Sequence, residues 1–456
     1  MIKVSPIELV DNRGSDRSAY LARLLNLCPT INHPSFLPET KAWLQELRDS
    51  AASRVRELTI PSSKDEEWRF TDLAPLLQLD FQLADWEPTI QLADSPIQPI
   101  HLQPFILPEA ICLVFINGVF SPDLSTRIPL PSNVCFSGGF AGLETETDDS
   151  QLLKLKRYLA KQQGAEEVFT ALNTANLRNI AIVNVPTDEL VETPIQVLFV
   201  STVRDKAQIG HPRCLVIAEP GSSLTLVEEY ISLDEGVYFT NAVTEIFIQD
   251  NAQVNHTRVQ RESKTAFHIG KTAVSQARDS RYTCNAISFG AALSRHNLEV
   301  YQTGEQTDTK LNGLALIAGR QVADTHSLIS FTKPHSTSNQ IHKCIVDDKA
   351  HAVFNGKIFV PQAAQLTDAR QLSQNLLLSD KARVDTKPQL EITADNVKCA
   401  HGATVSQLEN DEVFYLQSRG ISQTQAVKLL TYAFAYEVIE QIPIASLREE
   451  LLKHTT

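Results

Sequence analysis

A chain of 456 residues with 43% hydrophobic and 21% charged content can bury a sizeable core and hold more than one structural region. Its formal charge of -13 argues against nucleic acid or an anionic membrane as the main partner, since both reward a basic surface, and directs attention to protein partners. The opening MIKVSPIELVDNRGSDR lacks the apolar stretch of a signal peptide, and no uncharged apolar run of about 18 residues occurs, so a cytoplasmic or plastid-stromal location is expected.

In chain order, Leu44, Leu47, Ala51, Val55 and Leu58 recur at spacings of three and four, which predicts a helix that starts near Pro38 and ends before Pro61. Ser63 and Glu66 then have capping-box spacing ahead of Trp68 and Phe70. In VFINGVF, Asn117-Gly118 separates two short apolar runs, the favoured pair for a tight type I′ hairpin turn. Residues 150 to 177 read as helical again. The stretch 1–177 is thus expected to be a mixed helical region with a small hairpin.

From 178 to 405 apolar and polar residues alternate in short runs, which predicts strands. Turn residues precede these runs at Gly221, Asp250, Asp279 and Asp308, with similar starts at Asp348, Asp380 and Asp395, a period of roughly thirty that one coil of a stacked solenoid requires. A parallel β-helix is favoured on this pattern, with a β-sandwich as the alternative. Residues 406–456 return to helix. Asp411 to Arg419 ends at Gly420, Ser422 and Gln425 open a longer run striped by Val427, Leu430, Phe434 and Val438, Pro443 closes it, and Ser446 is placed to cap a last helix. The stripe is expected to cover the open end of the solenoid, to dock another protein, or both.

Chemical signals are sparse. The seven cysteines, Cys28, Cys112, Cys135, Cys214, Cys284, Cys344 and Cys399, are scattered and contain no close pair, so neither a disulfide framework nor a thiolate cage is expected from the chain alone. Gly270-Lys271-Thr272 resembles the end of a phosphate-binding loop, but Thr265 stands where its first glycine belongs. His326, His335, His342 and His351 are too far apart along strands to form a ligand set by spacing. Asp347 and Asp348 offer paired carboxylates, the groups that a β-helix polysaccharide lyase or hydrolase would use, although adjacent aspartates are also ordinary turn residues. In Cys399-Ala400-His401, one residue of separation in an extended segment puts thiol and imidazole on one face, where both can approach a single iron.

Several blocks resemble the SufB/SufD family of iron-sulfur cluster assembly scaffolds: VKCAHGATVSQLENDEVFYLQSRGI at 397–421, VFNGKIFVPQAAQLTDARQLSQNLLLSDKARVDTKPQLEI at 353–392, DEEWRFTDL at 65–73 and FTALN at 169–173. The KCAHG pattern and DEEWRFTDL resemble its SufD branch. The resemblance implies a right-handed parallel β-helix core flanked by an N-terminal mixed region and a C-terminal helical domain, and a non-enzymatic scaffold subunit. It implies a heterodimer with a SufB-like subunit and binding of a SufC-like ATPase, and leaves a homodimer of the isolated chain open. It places Cys399 and His401 at the cluster-assembly interface as metal ligands shared with the partner, and Asp411, Phe414, Tyr415, Arg419, Val427, Leu430 and Phe434 at the ATPase contact. It implies no cofactor bound stably by the isolated chain and a transient iron-sulfur cluster in the assembled complex. No cysteine falls between Cys344 and Cys399, which fits a subunit that completes its site with a partner.

Overall fold

Two parallel sheets run side by side, and the chain crosses from one to the other after each strand, winding about eight coils of a β-solenoid. The computed structural model describes residues 17–27, 38–84, 91–92, 95–126, 134–138, 149–203 and 206–455; Cys28 lies outside them. The first sheet stacks Ala181–Val185, Arg213–Ala218, Tyr238–Ile248, Phe267–Gln276, Leu293–Gln302, Val322–Phe331, His351–Val360 and Arg383–Ile392. The second stacks Ile195–Ser201, Ser223–Ser232, Gln253–Arg261, Arg281–Ser288, Asp308–Ile317, Thr337–Val346, Asp368–Leu377 and Lys398–Gln407. The stack of parallel coils removes the β-sandwich alternative.

Six corners leading into the second sheet hold a residue of positive φ. Gly221 (70°), Asn251 (57°), Asp279 (58°), Gln306 (58°), His335 (64°) and Leu366 (61°) each stand two places ahead of a second-sheet strand. Of the predicted turn residues, Gly221, Asp279 and Asp348 take this conformation themselves, Asn251 takes it next to Asp250 and Gln306 two places ahead of Asp308, while Asp380 and Asp395 lie in a turn and a bend without it. Asparagine and aspartate tolerate it best among residues that carry a Cβ.

Alternation sends every second side chain into the lumen. Early coils fill it with Val183, Val197, Phe199, Val216, Leu224 and Leu226. Central coils bury polar groups instead. The Thr244 hydroxyl donates to Glu228 at 2.6 Å, His256 meets the Tyr282 hydroxyl at 3.0 Å, and His268 meets Glu262 at 2.6 Å. Buried charges of this kind persist because they are paired and hydrogen-bonded.

The N-terminal region covers the outer face of the first sheet, where Leu21, Leu24, Val55, Leu73, Phe169 and Leu172 pack on Ile209, Phe239, Phe267 and Ile269. The predicted helix is present as Pro38–Glu57, and the Asn117-Gly118 hairpin turns with φ of 52° and 82°. The predicted helical stretch 150–177 divides into Asp149–Tyr158 and Val168–Ala175 around Gly164, whose φ is 75°. The predicted Ser63/Glu66 capping box is replaced by Ser62, whose amide and hydroxyl donate to Asp65 at 2.7 and 3.0 Å, ahead of a short turn over Glu66–Trp68.

That turn straps the N-terminal region to the solenoid. The Arg295 guanidinium lies 3.8 Å from the centre of the Trp68 ring, donates to the Glu67 carbonyl at 2.8 Å and pairs with Asp324 at 2.6 Å. His326 bridges Glu67 (3.1 Å) and Asp324 (3.0 Å), Thr71 donates to Asp324, and Lys387 pairs with Glu66. Burial alone would raise the Asp324 carboxyl, but Arg295 and His326 hold it well below the usual range, and Asp324 and Glu67 in turn raise His326 against its own desolvation. The Asp324 contribution to stability is therefore present above its free value near about 3.9 and lost as pH falls below it, while that of His326 is complete below about 6.5 and fades as pH rises through its raised value. In urea titrations the advantage of wild type over His326→Gln is expected to shrink as pH rises above about 6.5 and through the raised value of His326; an advantage that grows with pH would contradict this account of the strap.

Candidate functional site

Among the described residues the last coil, Arg383–Ile392 with Lys398–Gln407, has a neighbouring strand on one side only. Positions that are buried in earlier coils stand open here, and Val405 is 50% exposed. Within this edge Cys399 pairs in register with Ala369 and His401 with Gln371. Cys399 is half-buried and packs on the apolar lumen, so alternation places His401 on the same inward face, at the mouth of the solenoid and exposed. Burial pushes the Cys399 thiol up against an opposing hydrogen bond at Ala369, and Asp368 adds to the rise, so the resting group is a neutral thiol rather than the nucleophilic, metal-binding thiolate. Among the described residues no third His, Cys, Asp or Glu joins them in a metal-holding group.

The polar residues beneath this pair gave the weakest signal in the sequence. In Asp368–Leu377 the inward positions are Ala369, Gln371, Ser373 and Asn375, while Leu372 faces out, an inversion of the usual pattern. Asn375 donates to the Ser373 hydroxyl at 3.1 Å and to the Thr404 carbonyl at 2.9 Å, tying the edge strand to the coil below. Polar residues at every second position of ARQLSQNLL were the available signal.

The C-terminal helices, Asn410–Ser418, Gln423–Ile439 and Ala445–Lys453, lie along the flank of the second sheet rather than over the open end, which corrects the expected cover. Ala435, Val438, Ile439 and Ile442 pack there on Val227, Val259, Ile287, Leu314 and Ile345. The capping box at Ser422 and Gln425 forms as predicted, whereas Ser446 bonds Glu109 at 2.8 Å and Ile444 occupies the cap position of the last helix. The residues grouped as an ATPase contact fall into two sets. Phe414 (68% exposed), Tyr415 (58%), Asp411 and Arg419 project from the first helix, whereas Val427, Leu430 and Phe434 are half-buried, and the Lys343 ammonium sits 4.3 Å from the Phe434 ring centre. Leu429 and Tyr436, absent from the predicted set, are exposed on the second helix.

The remaining signals have other duties. His326 serves the strap, His335 holds a left-handed corner, His342 stacks on Phe354 with ring centres 4.5 Å apart, and His351 pairs with Asp385 at 2.7 Å. Asp348 turns the chain with φ of 54° and accepts the Gly319 amide at 3.0 Å. Gly270-Lys271-Thr272 is mid-strand, and Lys271 is held between Glu167 (2.9 Å) and Glu299 (2.8 Å) in a groove of about 700 Å³ under the strap. Cys112, Cys214, Cys284 and Cys344 are buried and free. No helix among the described residues is long and apolar enough to cross a membrane.

A β-solenoid whose last coil presents a thiol and an imidazole, flanked by helices with an exposed aromatic face, has the features of an assembly protein. Residues 199–434 match the model of the SUF system FeS cluster assembly SufBD core domain, and residues 33–197 that of the SufBD protein N-terminal region. The chain belongs to the SufBD family. It is 45% identical to an iron-sulfur cluster assembly SufBD family protein of Synechocystis over 89% of this chain and 88% of the relative. It is 30% identical to the iron-sulfur cluster assembly protein SufD of Escherichia coli over 91% of each, and 34% identical to the chloroplastic protein ABCI7 of Arabidopsis thaliana over 91% of this chain and 86% of that one. Its role lies in iron-sulfur cluster assembly in the SUF system.

Proposed function

We propose that the chain is a non-enzymatic scaffold subunit that pairs with a SufB-like partner through its bare last coil and binds a SufC-like ATPase through its C-terminal helices. The observation that carries this reading is the placement of Cys399 and His401 together on an unpaired sheet edge, with no third ligand of the described chain beside them. Two ligands do not hold a cluster, and an open edge accepts another strand. His401 supplies a nitrogen to iron, Cys399 a thiolate once iron displaces its proton, and the partner the remaining sulfur ligands. The isolated chain keeps no cofactor and uses the same edge for a homodimer. The cytoplasm or the plastid stroma is the compartment, the latter supported by the chloroplastic relative. Carbohydrate cleavage has no support at Asp347 and Asp348, which are turn residues.

The test is co-expression with SufB-like and SufC-like partners, then anaerobic reconstitution with iron and sulfide. A stable complex that gains the broad visible absorption of a cluster, while the isolated chain stays colourless, is expected; a coloured isolated chain, or no complex, overturns the shared site. Phe414→Glu is expected to remove the ATPase from the co-purified complex and leave the SufB-like partner bound, with thermal unfolding unchanged because the side chain touches solvent. Retention of the ATPase would move the contact elsewhere.

A further inference from the structure

Under His401 the lumen holds a directed chain of amides. Gln340 donates from Nε2 to the Ser327 hydroxyl at 2.8 Å, and Gln371 donates from Nε2 to Gln340 Oε1 at 2.8 Å. With its nitrogen committed, Gln371 is fixed in orientation. Its Oε1 is buried and has no hydrogen-bond partner, and the residue is only 2% exposed. Leaving such an acceptor unmet costs about 1–3 kcal/mol, so its presence needs a reason. The amide also needs room, because a Cβ on Gly356, across the lumen on the first sheet, would collide with it. The residue in register with Gln371 on the next rung, about 4.8 Å away, is His401.

We infer that Gln371 is a positioning residue for His401: its unpartnered Oε1 accepts one imidazole N–H when the partner subunit closes over the last coil, fixing the tautomer and turning the other ring nitrogen, lone pair outward, toward iron. This inference rests on the proposed assembly site. Histidines that bind metals usually donate their second N–H to a carbonyl or carboxylate, and losing that acceptor typically costs about 10–100-fold in metal affinity or activity. No proton changes hands in the step; a hydrogen bond forms and the ring is oriented.

The test compares wild type, Gln371→Met, which keeps the length without an acceptor, and Gln371→Glu, which restores one. Ring-nitrogen NMR of His401 in the partner-bound complex before iron is added should show one dominant tautomer in wild type, a mixture in Gln371→Met and recovery in Gln371→Glu. Gly356→Ala, which displaces the amide, should reproduce the Gln371→Met spectrum while leaving the unfolding midpoint of the complex within the range of the other variants. Unchanged His401 nitrogen shifts in Gln371→Met overturn the inference. Cluster yield is measured separately: normal yield in His401→Ala overturns the assembly site itself, whereas normal yield in Gln371→Met with an altered tautomer overturns only the positioning role.

Discussion

Arg213→Ala is expected to destabilise the folded chain by about 3–5 kcal/mol, read as a fall in the urea midpoint. The Arg213 side chain is fully buried. One arm of its guanidinium pairs with Glu245, and Nη1 donates to Asn173 Oδ1 at 3.0 Å and Thr174 Oγ1 at 3.1 Å. These bonds join the strand Arg213–Ala218 to its neighbour Tyr238–Ile248 and to the helix Val168–Ala175, so a charge pair within the solenoid also anchors the N-terminal region. Most of the cost comes from the Glu245 carboxylate left buried without its cation. The double variant Arg213→Ala, Glu245→Ala should therefore lose less than the sum of the two single variants. A loss below about 1 kcal/mol in the single variant would show that the carboxylate finds water or another donor.

His401→Ala should lower cluster yield in the reconstituted complex by at least about tenfold, since removing a ligand costs no less than removing its hydrogen-bond support. The side chain is exposed on the terminal strand, so the isolated variant should unfold with the wild-type midpoint and still co-purify with its partners. Absorbance of the anaerobic complex gives the yield, and sedimentation gives the assembly. Wild-type yield in an intact complex would remove His401 from the site.

The architecture was legible in the sequence where a residue type meets a geometric demand. Gly221 and Asp279 announced their corners because few residues accept a positive φ, and Asn117-Gly118 announced the hairpin for the same reason. Cys399 and His401 could be placed on one face because a strand has a period of two. Periodicity does not say which face is inside when both are polar. The lumen groups His256 and Arg258 share the strand Gln253–Arg261 with the outward polar residues Asn255 and Thr257, and Gln371, Ser373 and Asn375 alternate with a leucine that faces solvent. The packing place of Gln423–Ile439, on the flank of the second sheet instead of the open end, was hidden for a related reason. Phe434 reads as the centre of an apolar stripe, but Ala435, Val438 and Ile439 are the residues buried against the sheet, and Phe434 packs half-buried at the edge of that cluster under Lys343. Long-range pairs such as Lys387 with Glu66 and Arg295 with Trp68 join residues hundreds of positions apart, and no local pattern encodes them.

The two ends of the stack are unlike. At its start, the sheets finish in the short antiparallel strands Val119–Phe120 and Cys135–Gly138; at its finish, both edges are bare. A rod of parallel coils with two open ends would add copies head to tail without limit, as amyloid does. With one end blunted, growth through the other stops at a pair. In the proposed assembly the asymmetry would act as a chain terminator, leaving exposed the backbone that a shared site would use while denying the protein a route to fibres.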